Sequence, residues 1–192
     1  KLWYNREPAP EDSTAYSITL NTSTKGLVYE RIKKNDINSI KMLAEILLGT
    51  KVFNSALCDF QGGEQHEVIA NKATTVVFIP NNHINDFLQY MKVMKSNFEK
   101  EYHTSLNIIT EKANVQPEAI IDKKTQSNLL NGIIACPHGI IAMSEDNEVK
   151  TSTDISVCQK KEGYFLIVTS QRSSTEWSKQ RISNKERSVF EL

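Results

Sequence analysis

The chain has 192 residues, 39% hydrophobic and 24% charged, enough to bury an ordinary globular core in one large domain or two small ones and neither a disordered nor a fibrous composition. Lysine plus arginine equals aspartate plus glutamate at 23 each, so no basic surplus points to nucleic acid or an anionic membrane surface. No apolar run is long enough to span a bilayer, and three cysteines without close pairing, Cys58, Cys136 and Cys158, exclude a disulfide framework and fit a reducing, cytoplasmic compartment.

The start, Lys1-Leu2-Trp3-Tyr4, has neither an initiator methionine nor a signal-peptide pattern and reads as an excised segment. After the Pro-rich stretch Glu7-Pro8-Ala9-Pro10, Tyr16 to Leu20 alternates as a half-buried strand. Asn35-Asp36 is placed to cap a helix whose apolar stripe Ile37, Ile40, Leu43, Ala44 and Leu47 runs to Gly49. Strands are predicted from Val52 to Phe60 and from Thr74 to Ile79, separated by Gly62-Gly63. A long helix follows, with Ile84, Phe87, Leu88, Met91, Phe98 and Tyr102 at helical spacing, then a strand from Leu106 to Thr110. Residues 1–111 therefore read as a ferredoxin-like βαββαβ half.

Residues 112–192 read as an αβββα half. A helix is predicted from Lys124 to Ile134, then strands Gly139 to Met143, Val149 to Cys158 and Tyr164 to Ser170, joined by polar turns. Ser174 or Thr175 caps a closing helix through Arg187, with Trp177, Ile182 and Val189 as packing candidates. Amphipathic helices need a sheet to cover, so the fold class is α+β, an antiparallel sheet with helices mainly on one face.

Few residues carry chemistry by themselves. A catalytic thiol at Cys136 would need His138 as base, but Pro137 between them favours a turn, and both strand cysteines read as buried hydrophobes. His66 and His138 have no second ligand at metal spacing, and His83 and His103 flank the long helix. Arg172 reads either as an exposed arginine at a strand end or as a fork for a carboxylate.

Several short motifs stand in an order that resembles the inserted lid of the aminoacyl-histidine dipeptidases, a branch of the two-zinc metallopeptidases that includes carnosinases. Arg6-Glu7-Pro8-Ala9-Pro10 matches that family's Arg-Glu-x-x-Pro, and Lys25-Gly26-Leu27 followed by Asn38-Ser39-Ile40-Lys41-Met42-Leu43 matches its Lys-Gly-Leu and Asn-Ala-Ile-Lys-Leu-Leu. Phe60-Gln61-Gly62-Gly63 through Ala73 is similar to Phe-Asn-Gly-Gly-Asn-x-Arg-Asn-Ala-Ile-Pro-x-x-Ala. Cys136-Pro137-His138-Gly139, Met143-Ser144, Thr151-Ser152 and Arg172-Ser173-Ser174 complete the series. Two departures matter: Arg31 stands where the family has its lid histidine, and His66-Glu67 replaces Arg-Asn. A glutamate only accepts hydrogen bonds and repels a substrate carboxylate, where an asparagine amide does neither.

The resemblance implies that all of 1–192 is a lid and dimerisation domain, without catalytic residues or metal of its own. Zinc and the general base are then expected in a separate catalytic domain of the parent protein. The implied partners are that domain, a second copy as homodimer, and a small Xaa-His peptide in the cleft between domains, met by Arg172, His66, Glu67 and Arg31. The rival expectation from a different class is a stand-alone α+β ligand-binding or self-association module; the lid of an inactive paralogue is the other.

Overall fold

The computed structural model describes residues 1–22, 32 and 37–191. The strands are β1 (Leu2–Trp3), β2 (Arg6–Pro8), β3 (Ser13–Asn21), β4 (Ala56–Gly62), β5 (Lys72–Pro80), β6 (Asn107–Lys112), β7 (Ala119–Ile121), β8 (Gly139–Met143), β9 (Val149–Lys161) and β10 (Tyr164–Ser173). The helices are α1 (Ser39–Gly49), α2 (Ile84–Tyr102), α3 (Lys123–Ala135) and α4 (Glu176–Phe190). Eight strands form an antiparallel sheet in the order β1-β10-β9-β4-β5-β3-β6, with β8 beside β9, and β2 pairs with β7 in a separate ribbon. The β4-β5-β3-β6 portion, with α1 after β3 and α2 after β5, has the strand order of a ferredoxin-like βαββαβ unit.

Alternation along the strands sorts residues between two cores. Tyr16, Ile18 and Leu20 of β3 face one side and join Phe60, Val77, Ile155 and Phe165 in a cluster with α1, α2 and α3. Ala15 faces the other side, where Ala56, Cys58, Phe78 and Ile120 of the small ribbon form a second cluster. Helix α1 is the most deeply inserted, with Ile40, Leu43, Ala44 and Ile46 fully buried, because its sequence is apolar on more than one face.

The two halves meet where β9 reaches β4 at the register pair Gly62↔Cys158. Tight packing there explains the glycine: a Cβ at Gly62 would lie 2.5 Å from Ile40 Cγ1. The chain start also binds the halves together, since β1 pairs with β10 and β2 with β7.

Several boundaries differ from the sequence reading for local reasons. Residues Thr50–Phe53 form a 3-10 turn and Asn54 is left-handed at φ 54°, so β4 begins at Ala56 and not at Val52. The cap of α1 is Asn38, whose Oδ1 accepts from the N–H groups of Ile40 and Lys41; Asn35 and Asp36 lie outside the described residues. Thr175 caps α4 as expected, but Trp177 is 69% exposed and lies against Arg181 in place of packing inward. His83 and His103 hold the two end positions of α2, as read from the sequence.

Candidate functional site

The loop between β4 and β5 is clamped where it crosses β9. Gly63, at φ 69°, approaches so closely that a Cβ would stand 1.8 Å from the Ser156 carbonyl oxygen. Its N–H donates to Lys72 O at 3.1 Å. Downstream, Ile69 and Ala70 are buried, and Ala70 O accepts from Ser39 N at 2.8 Å, which ties the loop to the start of α1.

Between these anchors Glu67 adopts the left-handed region at φ 69°, uncommon for a residue with a side chain. Its N–H donates to Ser170 Oγ at 3.2 Å, and Ser170 Oγ lies 2.8 Å from Ser156 Oγ. Two residues along β10, Arg172 places Nη2 3.2 Å from Glu67 Oε1, with 42% and 62% of the side chains exposed. An ion pair this open to water contributes about 0–1 kcal/mol to stability. Its interest is chemical: the arginine fork that could receive a carboxylate faces one that belongs to the chain itself.

Of the four residues expected to meet a substrate, the structure brings together Glu67 and Arg172. His66 is exposed on the same loop, and Arg31 lies outside the described residues. Both side chains of the pair are open to solvent. A 220 Å³ cleft next to the loop is bordered by Gln61, Gly63, Glu64, Lys72 and Gln159, and a 590 Å³ cleft by Tyr4, Arg6, Asp59, Lys160 and Glu162; neither contains His66, Glu67 or Arg172. Among the described residues the pair is a solvent-exposed surface feature.

A second polar node, unread in the sequence, lies beneath the Cys136-Pro137-His138-Gly139 segment. Asp154, fully buried, accepts at Oδ1 from Asn38 Nδ2 at 2.7 Å. His138 Nδ1 is 2.8 Å from the same oxygen without hydrogen-bond geometry, and among the described residues Asp154 Oδ2 has no hydrogen-bond partner. Lys41 Nζ donates to the carbonyls of Ile133, Ile134 and Cys136 at 3.0, 3.0 and 2.6 Å, closing the end of α3. Burial draws the Lys41 pKa down, with Cys136 and Asp154 acting against it. Nearby, the buried Glu186 of α4 accepts from Thr153 Oγ1 and Gln171 Nε2.

At this node Cys136 is buried, surroundings that disfavour a thiolate nucleophile. Burial pushes its thiol up to about 12, with Glu186 adding to the rise, and the close partner of His138 is Asp154. Burial likewise raises Cys58 to about 12 and Cys158 further, as expected of small buried hydrophobes. Among the described residues no three His, Cys, Asp or Glu side chains converge on a metal-binding arrangement, and no helix is long and apolar enough to cross a membrane.

No protein-family model and no curated protein matches the chain. Among solved structures, it is similar to the crystal structure of an aminoacylhistidine dipeptidase from Vibrio alginolyticus, with a TM-score of 0.89 and 21% sequence identity. The match covers 99% of this chain but 40% of that one, so the chain spans less than half the length of its structural neighbour. Likeness in shape thus returns the family named from the motifs, and what it establishes is the fold: this chain is built as a large portion of an aminoacylhistidine dipeptidase is built.

Proposed function

We propose that this chain is the non-catalytic lid and dimerisation portion of a zinc dipeptidase-like protein acting on small Xaa-His peptides. In this reading it closes over the substrate and pairs with a second copy, while another domain supplies metal and general base. The observation that carries it is the fold match across 99% of the chain to 40% of a dipeptidase. The open position of Arg172 and Glu67, which needs an opposing surface to become a pocket, supports it.

The chemistry assigned to this chain is binding and exclusion of water. Arg172 offers two parallel donors to a carboxylate, and a closed lid strengthens such contacts by removing solvent. When bound in its own domain, zinc would supply an activated water; the described residues here offer no donor set for it, so none of this chain's side chains is given a role at the metal.

The complete protein tests the reading. Metal analysis and the residues flanking this segment are expected to show a zinc domain split around it, with His, Asp and Glu ligands on both sides. A reading frame lacking those ligands would favour the free-standing module instead. The Glu67–Arg172 contact favours a respecialised or inactive paralogue over an ordinary dipeptidase, because that arginine already faces a carboxylate.

A further inference from the structure

We propose that Glu67 is a built-in competitor at Arg172, so that a ligand with a bare carboxylate binds there against it. This rests on the reading of Arg172 as a ligand-facing residue and adds a determinant of specificity to that site.

The case is geometric. The backbone of Glu67, at φ 69°, is fixed through its N–H to Ser170 Oγ, and Ser170 is fixed through its hydroxyl to Ser156. Upstream, Gly63 is wedged against the Ser156 carbonyl; downstream, Ala70 is tied to Ser39. A loop held at both ends therefore delivers the carboxylate to 3.2 Å from Arg172 Nη2.

A carboxylate that approaches this guanidinium meets a like charge already beside it, which disfavours it. Because both side chains are substantially exposed, the contact opens at small cost and acts as a gate, not a permanent plug. The same arrangement explains in physical terms why an asparagine at this position would behave differently: its amide neither repels the ligand nor neutralises the arginine.

The experiment is a titration of the full-length protein with N-acetylglycine, a small carboxylate with an amide next to it, followed by calorimetry. Wild type, Glu67→Gln and Arg172→Gln are compared. The competitor role requires tighter binding by Glu67→Gln, ~1.4- to 5-fold on the scale of exposed ion pairs, and weaker binding by Arg172→Gln. Unchanged or weaker binding by Glu67→Gln, with Arg172→Gln still impaired, overturns the competitor and leaves the Arg172 site standing. Equal binding, or none, in all three proteins removes the Arg172 site and the competitor with it.

Discussion

Replacing Gly63 by alanine separates two physical costs that the structure superimposes at one residue. At φ 69° an alanine is held in the left-handed region, at about 1–2 kcal/mol. Its Cβ would also stand 1.8 Å from the Ser156 carbonyl oxygen, a backbone atom of β9 that cannot rotate away. Relieving that overlap requires the loop or β9 to shift, about 1–3 kcal/mol more by the usual cost of overpacking. The sum for Gly63→Ala is therefore about 2–5 kcal/mol. Gly139 is the matched control, at φ 90° with nothing within 4 Å of an added Cβ, so Gly139→Ala carries the conformational cost alone, about 1–2 kcal/mol. Urea unfolding followed by circular dichroism measures both, since Trp3 and Trp177 are exposed and report weakly on the core. Equal destabilisation by the two substitutions would refute the clamp between the β4–β5 loop and β9.

Other residues give independent tests of the fold. Asn38→Ala removes the α1 cap and the donor to Asp154 Oδ1 and Ile155 O; chemical denaturation is expected to show a loss of about 2–5 kcal/mol, from the cap and the buried acceptors together. Phe60→Ala, at a fully buried ring, should cost about 3–5 kcal/mol, whereas Trp177→Ala should stay within about 0.5 kcal/mol; comparable losses would mean that α4 packs through Trp177 after all. The buried thiols predict a pH effect. Unfolded cysteines ionise near ~8.5, while Cys58 and Cys136 are held protonated up to about 12. Stability from this source is therefore complete below the unfolded value and declines as pH rises from there toward 12; native protein at pH 8 should resist a thiol reagent that labels all three cysteines after denaturation.

What could be read in the sequence follows from how local each signal is. The 3.6-residue stripe from Ile84 to Tyr102 and the alternation around Tyr16 to Leu20 are complete within their own segments, and both elements formed there. Strands β1, β2 and β7 have two or three residues each and exist through pairing with distant partners, such as Leu2 with Phe165, so no local pattern marks them. Val52 and Phe53 resembled the opening of a strand, but Asn54 turns the chain left-handed before β4 begins. At the site, Glu67 and Arg172 were each singled out, while their contact spans 105 positions and left no periodic trace. The burial of Asp154 against Asn38 and His138 depends on three elements meeting, so no local pattern marks it.

The central claim is that this chain assists catalysis performed elsewhere in the same protein. The most direct measurement is hydrolysis of a panel of Xaa-His dipeptides by the full-length parent with added zinc, run beside residues 1–192 alone. Turnover by the parent and none by the isolated segment is the expected result. Hydrolysis by the isolated segment would contradict the assignment of this chain as a lid.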